Sequence, residues 1–303
     1  MNCFKKMNKI FIIVLFFVYG CLDNTSDLTM QTLTHDNVVR EYYVSYPENI
    51  DGPVPLIINM HGFASHAIEQ KDYSQMDSYA HSRGVAVVYP EGISRSWNVG
   101  TEGSLTNEDD VGFISTLIDS IATDFDIDLD RIYACGMSNG GYMSYELICN
   151  LSDKITAFGS VTGNFMLNDN QSCVVNREIP LIHIHGTKDK LVDYEKSRDD
   201  AMNTMDSINY WVKHNKLTQV ELEVIDDLDP SDGTNVEKFT FYSENSDTKV
   251  VHFKIYNGGH QWFGSPIADW FLIKLFLGKN NHEINSNKEL VDFFLQYKLS
   301  DFN

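Results

Sequence analysis

The chain has 303 residues, 43% of them hydrophobic and 22% charged, and a formal charge of −20 at neutral pH. A chain this acidic repels nucleic acid and anionic membrane surfaces, so neither is expected as an electrostatically recruited partner. Its length suits one large α/β domain, and no internal repeat or low-complexity linker divides it.

Residues 1–20 read as an export leader rather than as part of the fold. Lys5, Lys6 and Lys9 precede an apolar run, Ile10 to Val18, that is too short to span a bilayer as a stable helix. Val18-Tyr19-Gly20-Cys21 resembles a bacterial lipoprotein box, with cleavage before Cys21 and a lipid on its thiol, although Tyr19 stands where a small residue is usual. The alternative is an ordinary secretory signal, for which no A-x-A site is visible. The expectation is an exported protein, either an outer-membrane lipoprotein touching the membrane only through Cys21 or a secreted one. Residues 21–32 then form a polar tether, and 33–303 a single catalytic domain.

From there strands and helices alternate. Residues 37–46 read as a strand or hairpin arm. Val54 to Met60 is a continuous apolar run, as in a strand buried on both faces. His66 to Ser82 reads as a helix and 84–90 as a second buried strand. Asp109-Asp110 opens a helix with an acidic cap, a reading preferred over a catalytic carboxylate pair. Strands are expected at 131–135, 155–161, 180–186 and 249–256, and helices at 142–149, 203–214 and 287–297. This alternation predicts a mostly parallel sheet with helices on both faces.

Gly136, Ser138 and Gly140 are spaced as G-x-S-x-G between the strand ending at Cys135 and the helix after it. The string alone is a weak signal; the strand–turn–helix context gives it meaning as a nucleophile elbow. Such a turn forces Ser138 into a strained conformation. The flanking glycines let strand and helix approach, and the helix N-terminus supplies N–H groups for an oxyanion. The order matches the α/β-hydrolase fold, in which an acid and then a histidine follow on later strand ends. Asp189, after the strand and turn glycine of His183-Ile184-His185-Gly186, fits the acid; Asp193, four residues on, is its rival. His260, in Gly258-Gly259-His260 directly after the last strand, is the one histidine of the ten so placed. His183 and His185 lie within a strand and read as structural. No cluster has metal-ligand spacing, so neither a catalytic metal nor a cofactor is expected. The oxyanion donors are expected to be the backbone N–H groups of Asn139 and of Phe63, with His61 holding the loop of Phe63. Trp97 and Trp262 are candidate substrate-binding platforms for an aromatic acyl group or a sugar ring. Cys135 reads as a buried free thiol. A Cys149–Cys173 bridge is geometrically reasonable, but sequence leaves the pairing open.

These stretches together resemble the esterase/poly(3-hydroxybutyrate) depolymerase family, which includes feruloyl and acetylxylan esterases of the carbohydrate-esterase family 1 type. The resemblance covers roughly residues 35–300. It is carried by Asn59-Met60-His61-Gly62-Phe63, Val88-Tyr89-Pro90-Glu91-Gly92, Asp109 to Phe113, Gly136 to Gly141, His185 to Asp189, Asp229 to Thr234, and Gly258 to Trp262. It implies Ser138, Asp189 and His260 as the triad. The family also has a cysteine after the elbow helix and another before the acid strand, as Cys149 and Cys173 are here. Gln261 and Phe263 depart from the usual Thr and Pro, a difference expected to reshape the acyl pocket. The resemblance implies a serine esterase acting on feruloyl or acetyl esters of polysaccharides, or alternatively on polyester oligomers. Two other readings stay open. One is a serine oligopeptidase, which usually carries a propeller for which this chain has no room. The other is a non-catalytic glycan-binding lipoprotein, against which the intact Ser138/Asp189/His260 set argues.

Overall fold

The computed structural model describes residues 28–100, 104, 106–166, 173–197 and 201–302; the expected leader and Cys21 lie outside these. β1 (Met30–His35) and β2 (Val38–Ser45) form an antiparallel hairpin that turns at Asp36 and Asn37, both at positive φ. Asn and Asp tolerate that region, and hairpin turns require it. Because β1 starts at Met30, the last residues of the expected 21–32 tether belong to the sheet.

β3 (Val54–Met60) follows, then α1 (Ala67–Ser74), α2 (Met76–Ser82) and β4 (Ala86–Pro90). The single helix expected over 66–82 is therefore two, broken where Gln75 turns left-handed at φ 52°. Next come α3 (Asp110–Asp124), β5 (Ile127–Met137), α4 (Asn139–Asn150), β6 (Ala157–Val161) and β7 (Leu181–Gly186). α5 (Thr204–His214), β8 (Gln219–Ile225), β9 (Asn235–Ser243), β10 (Ser246–Tyr256), α6 (Phe271–Leu277) and α7 (Ser286–Phe294) complete the described order.

The strands form one ten-stranded sheet in the order β1-β2-β4-β3-β5-β6-β7-β10-β9-β8. The run from β4 to β10 is parallel, and antiparallel strands extend it on both sides. β8 and β9 were not expected from the sequence. Along β5, Ile132 and Ala134 face the core shared with α3, α4 and α5, whereas Tyr133, Cys135 and Met137 face the core shared with α1, α2 and α7. The period of two thus distributes one strand between two cores. Cys149 and Cys173 are disulfide-bonded, tying the end of α4 to the segment before β7. Cys135 is a buried free thiol, held protonated by its burial.

The two adjacent aspartates at the start of α3 do different work. Asp109 is the cap, its Oδ1 accepting the Gly112 N–H at 2.8 Å. Asp110 is buried and pairs with Arg40 of β2 at 2.6 Å, while its other oxygen accepts the Asn98 N–H at 2.7 Å. The Arg40 guanidinium also lies 3.8 Å over the Phe113 ring. Desolvation pushes the Asp110 pKa up, and Arg40 opposes it. Asp110→Ala would leave Arg40 buried without its counter-charge, so urea unfolding should show a loss of about 3–5 kcal/mol. Asp109→Ala, which removes only a cap, should cost about 1 kcal/mol.

β7 and β10 carry three buried histidines: His183, His185 and His252. Burial pushes the pKa values of His183 and His252 down, that of His252 to about 3. In the unfolded chain each takes a proton near pH 6.5, about the value of a free imidazole. Below that pH the unfolded state binds more protons, so the stability these two groups contribute is complete above about 6.5 and falls as the pH drops. His66 and His282, hydrogen-bonded to Glu91 and Asp229, have raised pKa values and act with the opposite sign, but both are partly exposed. Urea midpoints measured from pH 7 down to 4.5 should fall steadily, and His252→Gln should flatten the slope.

Candidate active site

β5 ends at Met137, and α4 begins two residues later at Asn139. Ser138 is the single residue between them, at φ 55° and ψ −115°, a conformation that costs a non-glycine residue about 1–3 kcal/mol. The structure fixes it from both sides: Ser138 N–H bonds Val161 O at 2.9 Å, and Ser138 O accepts Tyr142 N–H at 2.9 Å. Tyr142 thus makes the first intrahelical bond, which leaves the N–H groups of Asn139, Gly140 and Gly141 as the helix's leading donors. The glycines of the motif are there for contact. A Cβ at Gly140 would lie 2.2 Å from Met60 O, and one at Gly136 would lie 2.5 Å from the Gly140 carbonyl carbon. Ser138 itself is half-buried.

Asp189 and His260 meet two strands along the same sheet edge. Asp189 follows β7 and His260 follows β10, its parallel neighbour. Thr187 N–H bonds Ile255 O at 2.8 Å and Lys188 N–H bonds Gly258 O at 2.9 Å, so the two loops leave the sheet joined. His260 Nδ1 donates to Asp189 Oδ2 at 2.7 Å. Asp189 Oδ1 accepts the Leu191 and Val192 N–H groups, both at 2.8 Å. Burial would raise the Asp189 pKa, but His260, together with hydrogen bonds from His185 and His260, holds it well below the usual carboxylate range. The rival, Asp193, is partly exposed and accepts the N–H groups of Glu195 and Lys196, a turn-capping role.

The loop after β3 lies against the elbow: a Cβ at Gly62 would be 3.5 Å from Ser138 Cβ. Phe63 follows directly. His61 holds this loop as expected, and its two nitrogens show how. Nε2 accepts the Gly92 N–H at 2.9 Å, so Nδ1 carries the proton and donates to Gly62 O at 2.8 Å. Burial pushes its pKa down, which keeps it neutral. Sequence reading missed what the Asn139 side chain does: its Oδ1 accepts the Trp97 N–H at 2.7 Å and the Ser96 hydroxyl at 3.3 Å, tying the loop of Trp97 to the start of α4.

Trp97 and Trp262 are not ring platforms. Both are 0% exposed. The Trp97 indole donates to His61 O at 2.9 Å, and the Trp262 indole donates to Asn287 Oδ1 at 2.8 Å. Each spends its face and its polar edge on packing, which leaves no surface for a ligand. Gln261 and Phe263 are also fully buried. Gln261 bonds the Tyr73 hydroxyl and, at 2.7 Å, Gly278 O, which ties the His260 loop to α1 and to the end of α6. Among the described residues, two surface groups bring an imidazole and carboxylates together: His35, Asp36 and Asp109, and Asp229, Asp232 and His282. His282 donates through Nδ1 to Asp229 and through Nε2 to Asp269, at 2.7 and 2.9 Å.

Comparison with known proteins supplies the relationship. Residues 101–225 match the phospholipase/carboxylesterase family. A bifunctional acetylxylan esterase/xylanase of Neocallimastix patriciarum is 24% identical over 233 residues, 76% of this chain and 32% of that protein. Feruloyl esterase B of Piromyces equi is 27% identical over 253 residues, 78% of this chain and 45% of that protein. The chain thus spans less than half the length of these two relatives. Among solved structures, an acetyl xylan esterase from Aspergillus awamori superposes with a TM-score of 0.59 over 77% of this chain and 94% of its own, at 13% identity, a likeness of fold alone. The strand order around the elbow and the likeness to this structure agree with the α/β-hydrolase fold, and the relatives in sequence named here are esterases.

Proposed function

We propose that the chain is an exported serine ester hydrolase that removes feruloyl or acetyl groups from polysaccharides. The observation that carries this reading is the shared sheet edge. Ser138 stands strained at the tip of β5, and the buried Asp189–His260 pair stands at the tips of β7 and β10. With Nδ1 of His260 committed to Asp189, Nε2 is left to act as the base. It takes the Ser138 hydroxyl proton as Oγ attacks the ester carbonyl. Asp189, ionised throughout the working range, keeps the imidazole in this tautomer and stabilises the imidazolium. The N–H groups of Asn139 and Phe63 serve the oxyanion, each worth about 3 kcal/mol of barrier. The imidazolium then protonates the leaving alcohol, and the freed imidazole activates the water that releases the acid.

The choice of acyl group draws on the relatives, whose names are those of acetylxylan and feruloyl esterases. Export draws on Lys5, Lys6, Lys9 and the apolar run before Cys21. The test is hydrolysis of methyl ferulate, acetylated xylan and a 3-hydroxybutyrate oligomer, with Ser138→Ala as the blank. Ferulate or acetate release should dominate; a preference for the 3-hydroxybutyrate ester would replace the substrate class with polyesters. Ser138→Ala and His260→Ala should each cut kcat by about 10⁴-fold or more, and Asp189→Asn by about 10³–10⁴-fold with little change in KM. Retention of most activity in Ser138→Ala would overturn the site.

A further inference from the structure

Behind Asp189 stands a chain of buried polar side chains that the reaction above does not use. Tyr145 of α4 and His183 and His185 of β7 are all fully buried. The two histidines are two residues apart on one strand, so they face the same side. Their rings stack 5.4 Å apart at 5°.

The proton positions follow from the partners. His185 Nε2 lies 3.0 Å from Val192 O and 3.4 Å from Asp189 Oδ2. Both are acceptors only, so Nε2 carries the proton and Nδ1 the lone pair. That lone pair faces His183 Nε2 at 3.1 Å, with Thr204 Oγ1 at 3.4 Å. His183 Nε2 therefore carries a proton, and its Nδ1 accepts the Tyr145 hydroxyl at 2.8 Å. Every donor in the series, from Tyr145 through His183 to His185, points toward Asp189. The oxygen reached by His185 is Oδ2, the one that holds His260.

We propose that His185 is a positioning residue for Asp189, sharing with His260 the single oxygen Oδ2, and that Tyr145 and His183 hold His185 in the tautomer this requires. The role rests on the triad reading above. The His185 N–H, bonded to Val192 O, also sets its positive end 3.4 Å from Oδ2; this draws charge from the carboxylate, so Asp189 holds the His260 imidazolium less tightly. The imidazole then stays an unprotonated base to lower pH. If His185 took the other tautomer, its Nε2 lone pair would face Val192 O and the carboxylate together, a repulsive arrangement in a dry interior. The other titratable or charged groups near His185 are His183, His252, Tyr194 and Lys254. Tyr194 lies edge-on to His185 at 5.7 Å and bonds His252 Nε2 at 2.8 Å; Lys254 lies 5.5 Å over the Tyr194 ring. His252 donates through Nδ1 to the His183 carbonyl at 3.1 Å, so it does not compete for the series.

The test is the pH dependence of Ser138 labelling by a fluorophosphonate, which needs no natural substrate. Wild type, Ser138→Ala, His185→Leu, His185→Gln and Tyr145→Phe would be compared, with thermal unfolding to show that each is folded. His185→Leu removes the donor and should move the acid limb upward by roughly half a pH unit or more. His185→Gln keeps an N–H near the Nε2 position and should restore the wild-type limb. Tyr145→Phe, which frees the tautomer without touching Asp189, should shift the limb upward by less. An unchanged limb in folded His185→Leu would overturn the role. If that variant fails to fold, an unchanged limb in Tyr145→Phe would do so. Labelling that survives Ser138→Ala would instead overturn the triad itself, and the role of His185 with it.

Discussion

Backbone must touch backbone for this site to exist. The tip of β3, the end of β5, the first turn of α4 and the loop after β6 converge on a point where no side chain fits. A Cβ at Gly163, in that loop, would sit 2.6 Å from Ser138 O, and one at Gly141 would sit 2.5 Å from Ser160 Oγ. Gly136 is closed in the same way by Gly140 and Met60, and Gly140 by Met60 and His61. The strain at Ser138 is local, and the surrounding bonds over-determine it. The hydrogen bonds to Val161 and Tyr142 and the packing of four backbone segments hold that one residue in place.

Once the elbow is set, the sheet places the other participants. β6 bonds to β5 on one side and to β7 on the other, and β10 follows β7 in parallel register. Ser138 N–H reaches Val161 O, Thr162 N–H reaches Ile184 O, and Thr187 N–H reaches Ile255 O. These bonds step across the ends of β5, β6, β7 and β10, so the loops bearing Ser138, Asp189 and His260 start from one line. A parallel sheet collects its carboxyl ends at one edge, and the chemistry gathers there without contacts of its own devising.

What could be read from sequence follows the range of the interaction. The elbow, the acid after a strand and a turn glycine, and the histidine in a glycine loop are local patterns, and their residue types stand at those strand ends in the structure. The alternation of buried strands and amphipathic helices is equally local, and it carried the fold class. The roles of Asp109 and Asp110 could not be separated, because what distinguishes them is Arg40, far away in sequence on another strand. Trp97 and Trp262 were misjudged for the same reason: their neighbours His61 and Asn287 are brought in by tertiary packing. The break at Gln75 gave no signal, since neither Gly nor Pro marks it. β8 alternates Val220, Glu221, Leu222, Glu223 and Val224, a strand pattern by period, yet both of its faces are exposed at the sheet edge, so no buried run announced it.

The donors on Asp189 divide its work between two oxygens. Oδ1 belongs to the chain itself: the Leu191 and Val192 N–H groups fold the loop back onto it and fix the plane of the carboxylate. Oδ2 belongs to the chemistry, with His260 at 2.7 Å and His185 at 3.4 Å. Loop geometry and imidazole basicity can therefore be adjusted separately. A change behind His185 acts on Oδ2 while the backbone bonds to Oδ1 persist. A change in the turn from Asp189 to Val192 would instead rotate the carboxylate and disturb both histidines at once. The buried, neutral state of His183 fits this division: a proton added at its Nδ1 would turn the Tyr145 hydroxyl from donor to acceptor and break the order of the series at its start. Burial forbids that charge.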